Sequence, residues 1–280
     1  MRDGGHTSSI GLGDDMKRVG LAIPAISIDD RFVATLVHAL ANPLIRDGVS
    51  LVTKVVQDRR AEEQLYHHWA RAGGIADVAL LGVGQNDARV DLLRSHEFPI
   101  AAVVDTTVGT DFPTVVVDFD SSIEVLRAFL EVRPHRRTVY ITSVEEGAAL
   151  SARVAATAHA EHDGLFEVVR ADSSVDAVTA AASASAEDGP VTLVFDSDVH
   201  AVAALTEFQS RDIRVPHEVG IVSWTNSALC QSASKSITAI DRRGSQIGAL
   251  LGVRMLGAIA GDRQTHDRAP RPFVVLGETA

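Results

Sequence analysis

The sequence predicts an α/β protein built from two doubly wound, mainly parallel sheets. Short apolar runs alternate with longer amphipathic stretches from Val19 onward, which is the pattern of repeated β-α-β units. The same rhythm restarts after residues 114–118, so the chain divides into two halves of similar size. We expect the loops beyond the carboxyl ends of the two sheets to face each other across a ligand cleft.

Individual elements follow from apolar periodicity and from the residues that bound each run. Strands are predicted over 19–24, 49–56, 78–81, 100–104, 114–118, 138–141, 166–169, 192–195, 219–223, 237–240 and 273–276. Helices are predicted over 60–71, 86–95, 121–131, about 148–162, 175–186, 198–210 and 244–259. A further helix runs from Phe32 to near Gly48, and either Asp29 or Asp30 is expected to cap it.

Composition excludes several classes of protein. The 280 residues, 46% hydrophobic and 22% charged, suit one or two soluble domains and not a disordered chain. With 26 Lys and Arg against 37 Asp and Glu, the net charge of −11 does not suit direct nucleic-acid binding. Cys230 is the only cysteine, so no internal disulfide or Cys-based zinc site is expected. No apolar run reaches the length of a membrane span, and no membrane partner is expected.

The first residues carry no apolar segment of the kind that a signal peptide needs. We therefore expect residues 1–17 to be a flexible leader or linker, and the protein to be cytoplasmic.

Motifs for cofactor binding are incomplete. Gly82-Val-Gly84 follows a strand, but Asp87 stands where the third glycine of a dinucleotide-binding turn would be. His159-Ala-Glu161 resembles part of a deaminase motif, whose cysteine pair cannot exist in a chain with one cysteine. We therefore expect no cofactor.

Motifs for catalysis and metal binding are also incomplete. Ser223 lacks the closing glycine of a nucleophile elbow. Asp196 and Asp198 are too few carboxylates for a cation site, and Asp198 is more simply interpreted as the cap of the helix that follows. We therefore expect no catalytic residue and no metal, and the sequence favours a binding protein over an enzyme.

Six motifs, in order, resemble the effector-binding core of lac/gal-type bacterial repressors, the LacI/GalR family. They lie at 19–24 (VGLAIP), 98–105 (FPIAAVVD) with 115–118 (VVVD), 135–141 (HRRTVYI), 195–201 (FDSDVHA), 215–224 (VPHEVGIVSW) and 236–241 (SITAID). The resemblance implies a periplasmic-binding-protein-like fold of type I, with two lobes, three crossovers and a small effector in the cleft. It places the N-terminal lobe at 18–118 plus 244–268 and the C-terminal lobe at 119–243 plus 269–280.

Members of this family carry an N-terminal helix-turn-helix domain that binds operator DNA, usually as a dimer. About eighteen residues precede the first predicted strand here, too few for a three-helix domain. We expect either an excised effector core or a relative without that headpiece, with a homodimer as the assembly and operator DNA bound only through the missing domain.

The resemblance also implies effector contacts. Arg153 occupies the position of the family's effector-contacting arginine, whose guanidinium forks onto two hydroxyls or a carboxylate; a surface arginine on a helix is the alternative. Pro24 closes the first strand, and Asp105 ends a strand that faces the cleft, where it can accept a hydrogen bond from a hydroxyl. Ser197 and Asp198 fill the family's Asn-Asp pair.

Several positions depart from the family pattern. Ala156 replaces the glycine that follows the effector-contacting arginine, and Thr225 removes an acceptor carboxylate. Arg242 adds a positive charge where glutamine is common. A ligand with an anionic group therefore becomes an alternative to a neutral sugar. Trp224 is expected either to stack on an apolar ring face or to close the core.

These observations predict an allosteric sensor. Effector binding would close the lobes, shift a dimer interface on the first lobe and change operator affinity. A solute-binding protein of a transport system is the alternative, and a small-molecule enzyme on the same fold is a third.

Overall fold

The computed structural model describes residues 17–27, 30–106, 108–132, 137–142, 167–171, 173–186 and 189–280. The strands are β1 (Arg18–Pro24), β2 (Ser50–Val56), β3 (Asp77–Val83), β4 (Ile100–Asp105), β5 (Thr114–Val117), β6 (Arg137–Thr142), β7 (Glu167–Arg170), β8 (Val191–Phe195), β9 (Val219–Ser223), β10 (Thr238–Asp241), β11 (His266–Arg268) and β12 (Phe273–Val275). The α-helices are α1 (Arg31–Arg46), α2 (Arg59–Ala72), α3 (Ala88–Ser95), α4 (Asp120–Glu131), α5 (Ser174–Ser185), α6 (Asp198–Ser210), α7 (Ala228–Gln231) and α8 (Gly244–Ile259). A 3-10 helix at Ala25–Ser27 follows β1.

The strands form two six-stranded sheets, in the orders β11-β5-β4-β3-β1-β2 and β12-β10-β9-β8-β6-β7. Neighbours are parallel throughout the first sheet, and in the second sheet only the β10–β12 pair of the described strands is antiparallel. The predicted α/β architecture with two parallel-dominated sheets is confirmed. The predicted helix near 148–162 lies outside the described residues.

The chain passes between the sheets three times. It leaves the first sheet after β5, returns after β10 through α8, and leaves again between β11 and β12. We call the first sheet with its helices the first lobe, and the second sheet with its helices the second lobe. The residue limits given above for the lobes stay a prediction.

Each sheet has its own apolar layers. In the first lobe, Leu40 and Leu251 belong to the layer under α1 and α8, and Trp69 belongs to the layer on the opposite face. In the second lobe, Phe208 belongs to the layer under α6, and Trp224 belongs to the layer on the α4 side. The half-buried Phe119 packs against one layer from each lobe. Both sheets are therefore covered on two faces, as expected for doubly wound lobes.

Acidic residues cap three helices of the first lobe at their N-termini. The carboxylate of Asp30 accepts from the Phe32 N–H at 2.9 Å, which confirms Asp30 as a cap of α1; Asp29 lies outside the described residues. Asp58 and Asp87 cap α2 and α3 in the same way. These caps satisfy N–H groups that have no partner inside the helix, and each is worth about 1 kcal/mol.

Among the described residues, no helix is both long and apolar enough to cross a membrane.

Candidate functional site

The candidate site lies where the carboxyl ends of the two sheets meet. Pro24 and Asp105 end β1 and β4 in the first lobe, and both are half-buried. In the second lobe, Asp198 follows β8 and Thr225 follows β9. Because the carboxyl ends of parallel strands share one edge of a sheet, Pro24 and Asp105 lie at one edge of the first sheet, and Asp198 and Thr225 lie at one edge of the second.

Arg242 is a buried cation at this edge, with 6% of the residue exposed. Its Nη2 donates to Thr225 Oγ1 at 3.0 Å and lies 3.6 Å from Asp30 Oδ1. The guanidinium carbon lies 4.1 Å from the centre of the Phe32 ring and 5.9 Å from that of Trp224. Arg242 therefore contacts an acid and a ring near the N-terminus of α1, as well as a hydroxyl and a ring of the second lobe.

Asp198 does not cap its helix, so that interpretation of the sequence is wrong. The N-cap of α6 is Ser197, which makes no capping hydrogen bond through its side chain, and Asp198 is the first helical residue. Asp198 Oδ1 accepts from the N–H of Val199 at 3.0 Å, and Oδ2 lies 3.8 Å from Arg31 Nε. A carboxylate in the first turn is favourable because the N-terminus of a helix is electropositive.

Trp224 is fully buried and closes the core, which is one of the two alternatives that the sequence left open. Its ring packs against Tyr140 in an edge-on arrangement, with the centroids 6.4 Å apart. Within the described part of the chain, the indole Nε1 has no hydrogen-bond partner. Trp224 therefore fixes the position of Thr225 and lies beside Arg242, with no exposed face for a ligand to stack on.

Asp196, at the end of β8, is also fully buried. The hydroxyl of Thr142, at the end of the neighbouring strand β6, donates to Asp196 Oδ2 at 2.8 Å. Together with Asp198, this places two buried carboxylates at the edge of the second sheet. The described residues contain no group of three or more His, Cys, Asp or Glu side chains suited to a metal ion.

Arg153, predicted as the effector-contacting arginine, lies outside the described residues, as does Ala156. Arg31 and Asp30 also lie at the site, although neither was predicted as a site residue. Asp30 was expected only as a helix cap. Their position in the sequence could have indicated them, because they begin the helix that follows the carboxyl end of β1, and ligands bind at such strand ends.

A pocket of about 380 Å³, open to solvent, lies where the chain crosses between the sheets. All three passages contribute to its lining, through Asp118, Arg242 and Pro270, and Phe32 and Ser122 complete one side. The three connections between the lobes therefore border a common space next to Arg242.

Comparisons with known proteins agree with this architecture. The model of the periplasmic binding protein-like domain family matches residues 126–280, more than half of the chain. Among solved structures, a LacI family transcriptional regulator from Bifidobacterium animalis subsp. lactis DSM 10140 has a TM-score of 0.76 and 21% identity, over 94% of this chain and 97% of that chain.

Two further structures carry names that bear on ligand and assembly. The transcriptional regulator CelR in its cellobiose complex has a TM-score of 0.71 and 18% identity, over 94% of this chain and 84% of that chain. A dimeric lac repressor with an 11-residue C-terminal deletion has a TM-score of 0.74 and 14% identity, over 94% of this chain and 98% of that chain. A comparison with curated proteins gave no match.

The two lobes and their facing carboxyl edges define a two-lobed ligand-binding fold. The chain belongs to the periplasmic binding protein-like domain family. The resemblance of its motifs to lac/gal-type repressor cores is confirmed at the level of the fold.

Proposed function

We propose that this chain is the effector-sensing core of a LacI-type transcriptional regulator. A small molecule binds in the cleft between the lobes and changes the affinity of an attached helix-turn-helix domain for operator DNA. The fold supports this proposal, because the neighbours named above are regulators and one is described as a cellobiose complex. A coupling of about 1–3 kcal/mol between the two sites would suffice for such control.

The carboxylates around the cleft are the observation that supports a particular class of ligand. Asp105, Asp196 and Asp198 follow or end strands at the facing edges. The two arginines near the cleft each lie beside an acid of the protein: Arg242 is 3.6 Å from the carboxylate of Asp30, and Arg31 is 3.8 Å from that of Asp198. Ionised carboxylates accept hydrogen bonds from hydroxyl groups and repel anions. We therefore favour a neutral, hydroxyl-rich effector such as a sugar over the anionic metabolite considered from the sequence.

A ligand panel tests this function. Sugars, polyols, nucleosides, sugar phosphates and small acids are each added to the purified chain, and the unfolding temperature is measured. A ligand at about 100 times its Kd adds about 2.7 kcal/mol of stability, which raises the midpoint by several degrees. We expect a shift with a neutral polyhydroxy compound that is recovered unchanged. Consumption of the compound would indicate an enzyme, and a response confined to the anionic compounds would contradict the proposed ligand class.

Asp105→Asn provides the site control for this panel. Asparagine keeps the size of the side chain but removes the charge, so a shift that depends on Asp105 should shrink or vanish. Asp91→Asn, at an exposed position on α3, is the matched control and should leave the shift unchanged.

The proposed assembly is a homodimer formed through helix faces of the first lobe. Ile45 on α1 and Val253 on α8 expose 65% and 44% of their surfaces, and they lie on two helices of the first lobe that pack against each other. Sedimentation equilibrium is expected to give a dimer, and Ile45→Glu should shift it toward monomer. A monomer for the parent chain at high protein concentration would contradict this assembly.

A further inference from the structure

Two adjacent residues at the N-terminus of α1 reach two residues of the second lobe. Asp30 Oδ1 lies 3.6 Å from Arg242 Nη2, and Arg31 Nε lies 3.8 Å from Asp198 Oδ2. Asp30 and Arg31 precede or begin a helix that packs on the first sheet. Asp198 begins the helix that follows β8 of the second sheet, and Arg242 directly follows β10, where the chain starts its passage to α8. Both ion pairs therefore join one lobe to the other.

The signs of the four charges are reciprocal. On the first lobe the order is acid then base, and the partners on the second lobe are base and acid in the matching order. A shift of one lobe that exchanged the partners would bring Asp30 toward Asp198 and Arg31 toward Arg242. Like charges at such distances repel, so the pattern stabilises one relative placement of the lobes and disfavours the shifted one.

The two pairs differ in exposure. The side chains of Asp30 and Arg242 are 2% and 3% exposed, whereas Arg31 is 56% exposed over a carboxylate that is 4% exposed. Salt screens an exposed pair far more than a buried one. Arg31 covers the buried carboxylate of Asp198 from the solvent side. A ligand can therefore take the place of Arg31 beside that carboxylate.

We propose that Asp30, Arg31, Asp198 and Arg242 form a charge-reciprocal clasp that holds the two lobes together when no effector is bound. An effector that binds the carboxylate of Asp198 displaces Arg31 from it. The role of the clasp in sensing rests on the proposed function, but the clasp itself exists without ligand. The clasp is a regulatory contact at the same cleft, and its four residues come from the carboxyl edges of both sheets.

Distance measurements on the ligand-free chain test the clasp. Spin labels are placed at Ala88→Cys on the first lobe and Ala228→Cys on the second, which are both exposed and are the first residues of α3 and α7. The native Cys230 is buried and is checked for lack of labelling in the chain without the added cysteines. Double electron–electron resonance then reports the distribution of distances between the lobes.

In Arg31→Ala we expect a longer mean distance or a broader distribution, and the parent chain should change in the same direction at high salt. Arg46→Ala, an exposed arginine at the other end of the same helix, should behave as the parent chain. Arg31→Glu should open the lobes further, and combining it with Asp198→Arg should restore the parent distribution. Identical distributions in the parent, Arg31→Ala and Arg31→Glu chains would overturn the clasp.

Because these measurements need no effector, failure of the ligand panel leaves them valid. Conversely, a ligand could bind in the cleft even if replacing Arg31 left the distance between the lobes unchanged. The two proposals can therefore fail separately.

Discussion

Arg242 is a buried cation whose neighbours belong to both lobes, and this position makes its removal costly. Asp30 would keep its negative charge in a site that is 2% exposed, without the cation that lies 3.6 Å from it. The rings of Phe32 and Trp224 would also lose a cation between them. Removal of one partner from a buried ion pair is far more destabilising than replacement of the whole pair.

We accordingly predict that Arg242→Ala lowers the free energy of unfolding by about 3–5 kcal/mol, measured by urea denaturation. Adding Asp30→Asn to this variant should recover part of the loss, since asparagine still caps a helix but carries no charge. If the double variant were less stable than Arg242→Ala, the loss of the Arg242 charge beside Asp30 would not be the cause of the destabilisation.

Asp77 offers a prediction about pH. It begins β3 with 4% of its surface exposed, and burial raises the pKa of its carboxyl above the ordinary value, with Lys17 opposing this in part. A raised pKa in the folded state means that Asp77 contributes stability below its unfolded pKa of about 3.9, and that this contribution is lost as the pH rises through the folded value.

Asp77→Asn should therefore be more stable than the parent chain at neutral pH, and the difference should shrink as the pH falls and disappear below about pH 3, where aspartate is protonated in both states. Urea unfolding of both proteins across this pH range measures the effect. A less stable variant at neutral pH would show that the charged carboxylate is favourable in the fold.

At the residue scale, local chemistry was predictable and long-range pairing was not. The spacing of polar and apolar residues identified Asp30 as a cap of α1, and the structure agrees. Nothing local indicates that the same carboxylate meets Arg242, because that contact depends on how the two lobes are placed. The interpretation of Asp198 as a cap failed for a related reason: α6 begins at Asp198 itself, one residue earlier than that interpretation requires.

Helices α1 and α8 pack against each other so closely that a side chain would not fit at the contact. A Cβ added at Gly248 would overlap the carbonyl oxygen of Leu36 and lie 3.0 Å from the Cβ of Ala39. Backbone atoms cannot move aside as a flexible side chain can, so the helices would have to separate. Gly257, on the same helix, would place its Cβ at an ordinary distance of 3.4 Å from Asp262.

Gly248→Ala is therefore expected to destabilise the chain by about 1–3 kcal/mol, the usual cost of overpacking. Gly257→Ala should be neutral or should stabilise by up to about 1 kcal/mol, because alanine favours helix more than glycine does. Thermal and urea unfolding of both variants decide the matter. Equal effects of the two substitutions would contradict a close contact at Gly248.

Most strands could be read from their apolar runs, but β11 could not. Its sequence, His-Asp-Arg, has no apolar residue, and two of its three residues are exposed. It is held by backbone pairing to β5 and by a 2.8 Å contact between Thr114 Oγ1 and His266 Nδ1. Strand β12 was predicted from its apolar run, but its antiparallel pairing with β10 was not.

Each lobe carries one of the chain's two tryptophans, so each has its own fluorescent reporter. Trp69 packs in the first lobe beside Tyr66, and Trp224 packs in the second beside Tyr140. The buried layers around them share no residue. Separate cores make separate unfolding possible, because cooperativity between lobes then depends on the crossovers and the clasp.

We predict that Trp69→Phe and Trp224→Phe give urea transitions with different midpoints, since each variant reports the lobe that keeps its tryptophan. A ligand that binds between the lobes should bring the two midpoints closer, because it links both lobes to one folded state. Circular dichroism on both variants controls for any stability change caused by the substitution itself. Coincident transitions without ligand would show that the molecule unfolds as one unit.

On the scale of the whole molecule, the sequence predicted the two sheets and the edges at which they meet, since both follow from the order of strands and helices. The sequence could not predict which side chains occupy the space between the two sheets. The burial of Trp224 and the pairing of Arg242 result from contacts between segments that are distant in the sequence. Under the function proposed above, the pairing of Arg242 with Asp30 favours a neutral ligand over an anionic one.

The interleaved topology also bears on how the protein is made. The first sheet lacks its edge strand until residues 266–268 have been synthesised, and the second lacks one until residues 273–275 have followed. Thr279 then completes the second sheet, where its hydroxyl donates to the Ile221 carbonyl at 2.7 Å and accepts from the Thr238 N–H at 3.0 Å. Neither lobe can therefore complete its sheet until the segment from β11 to Thr279 has emerged, however much of the lobe has been made before it.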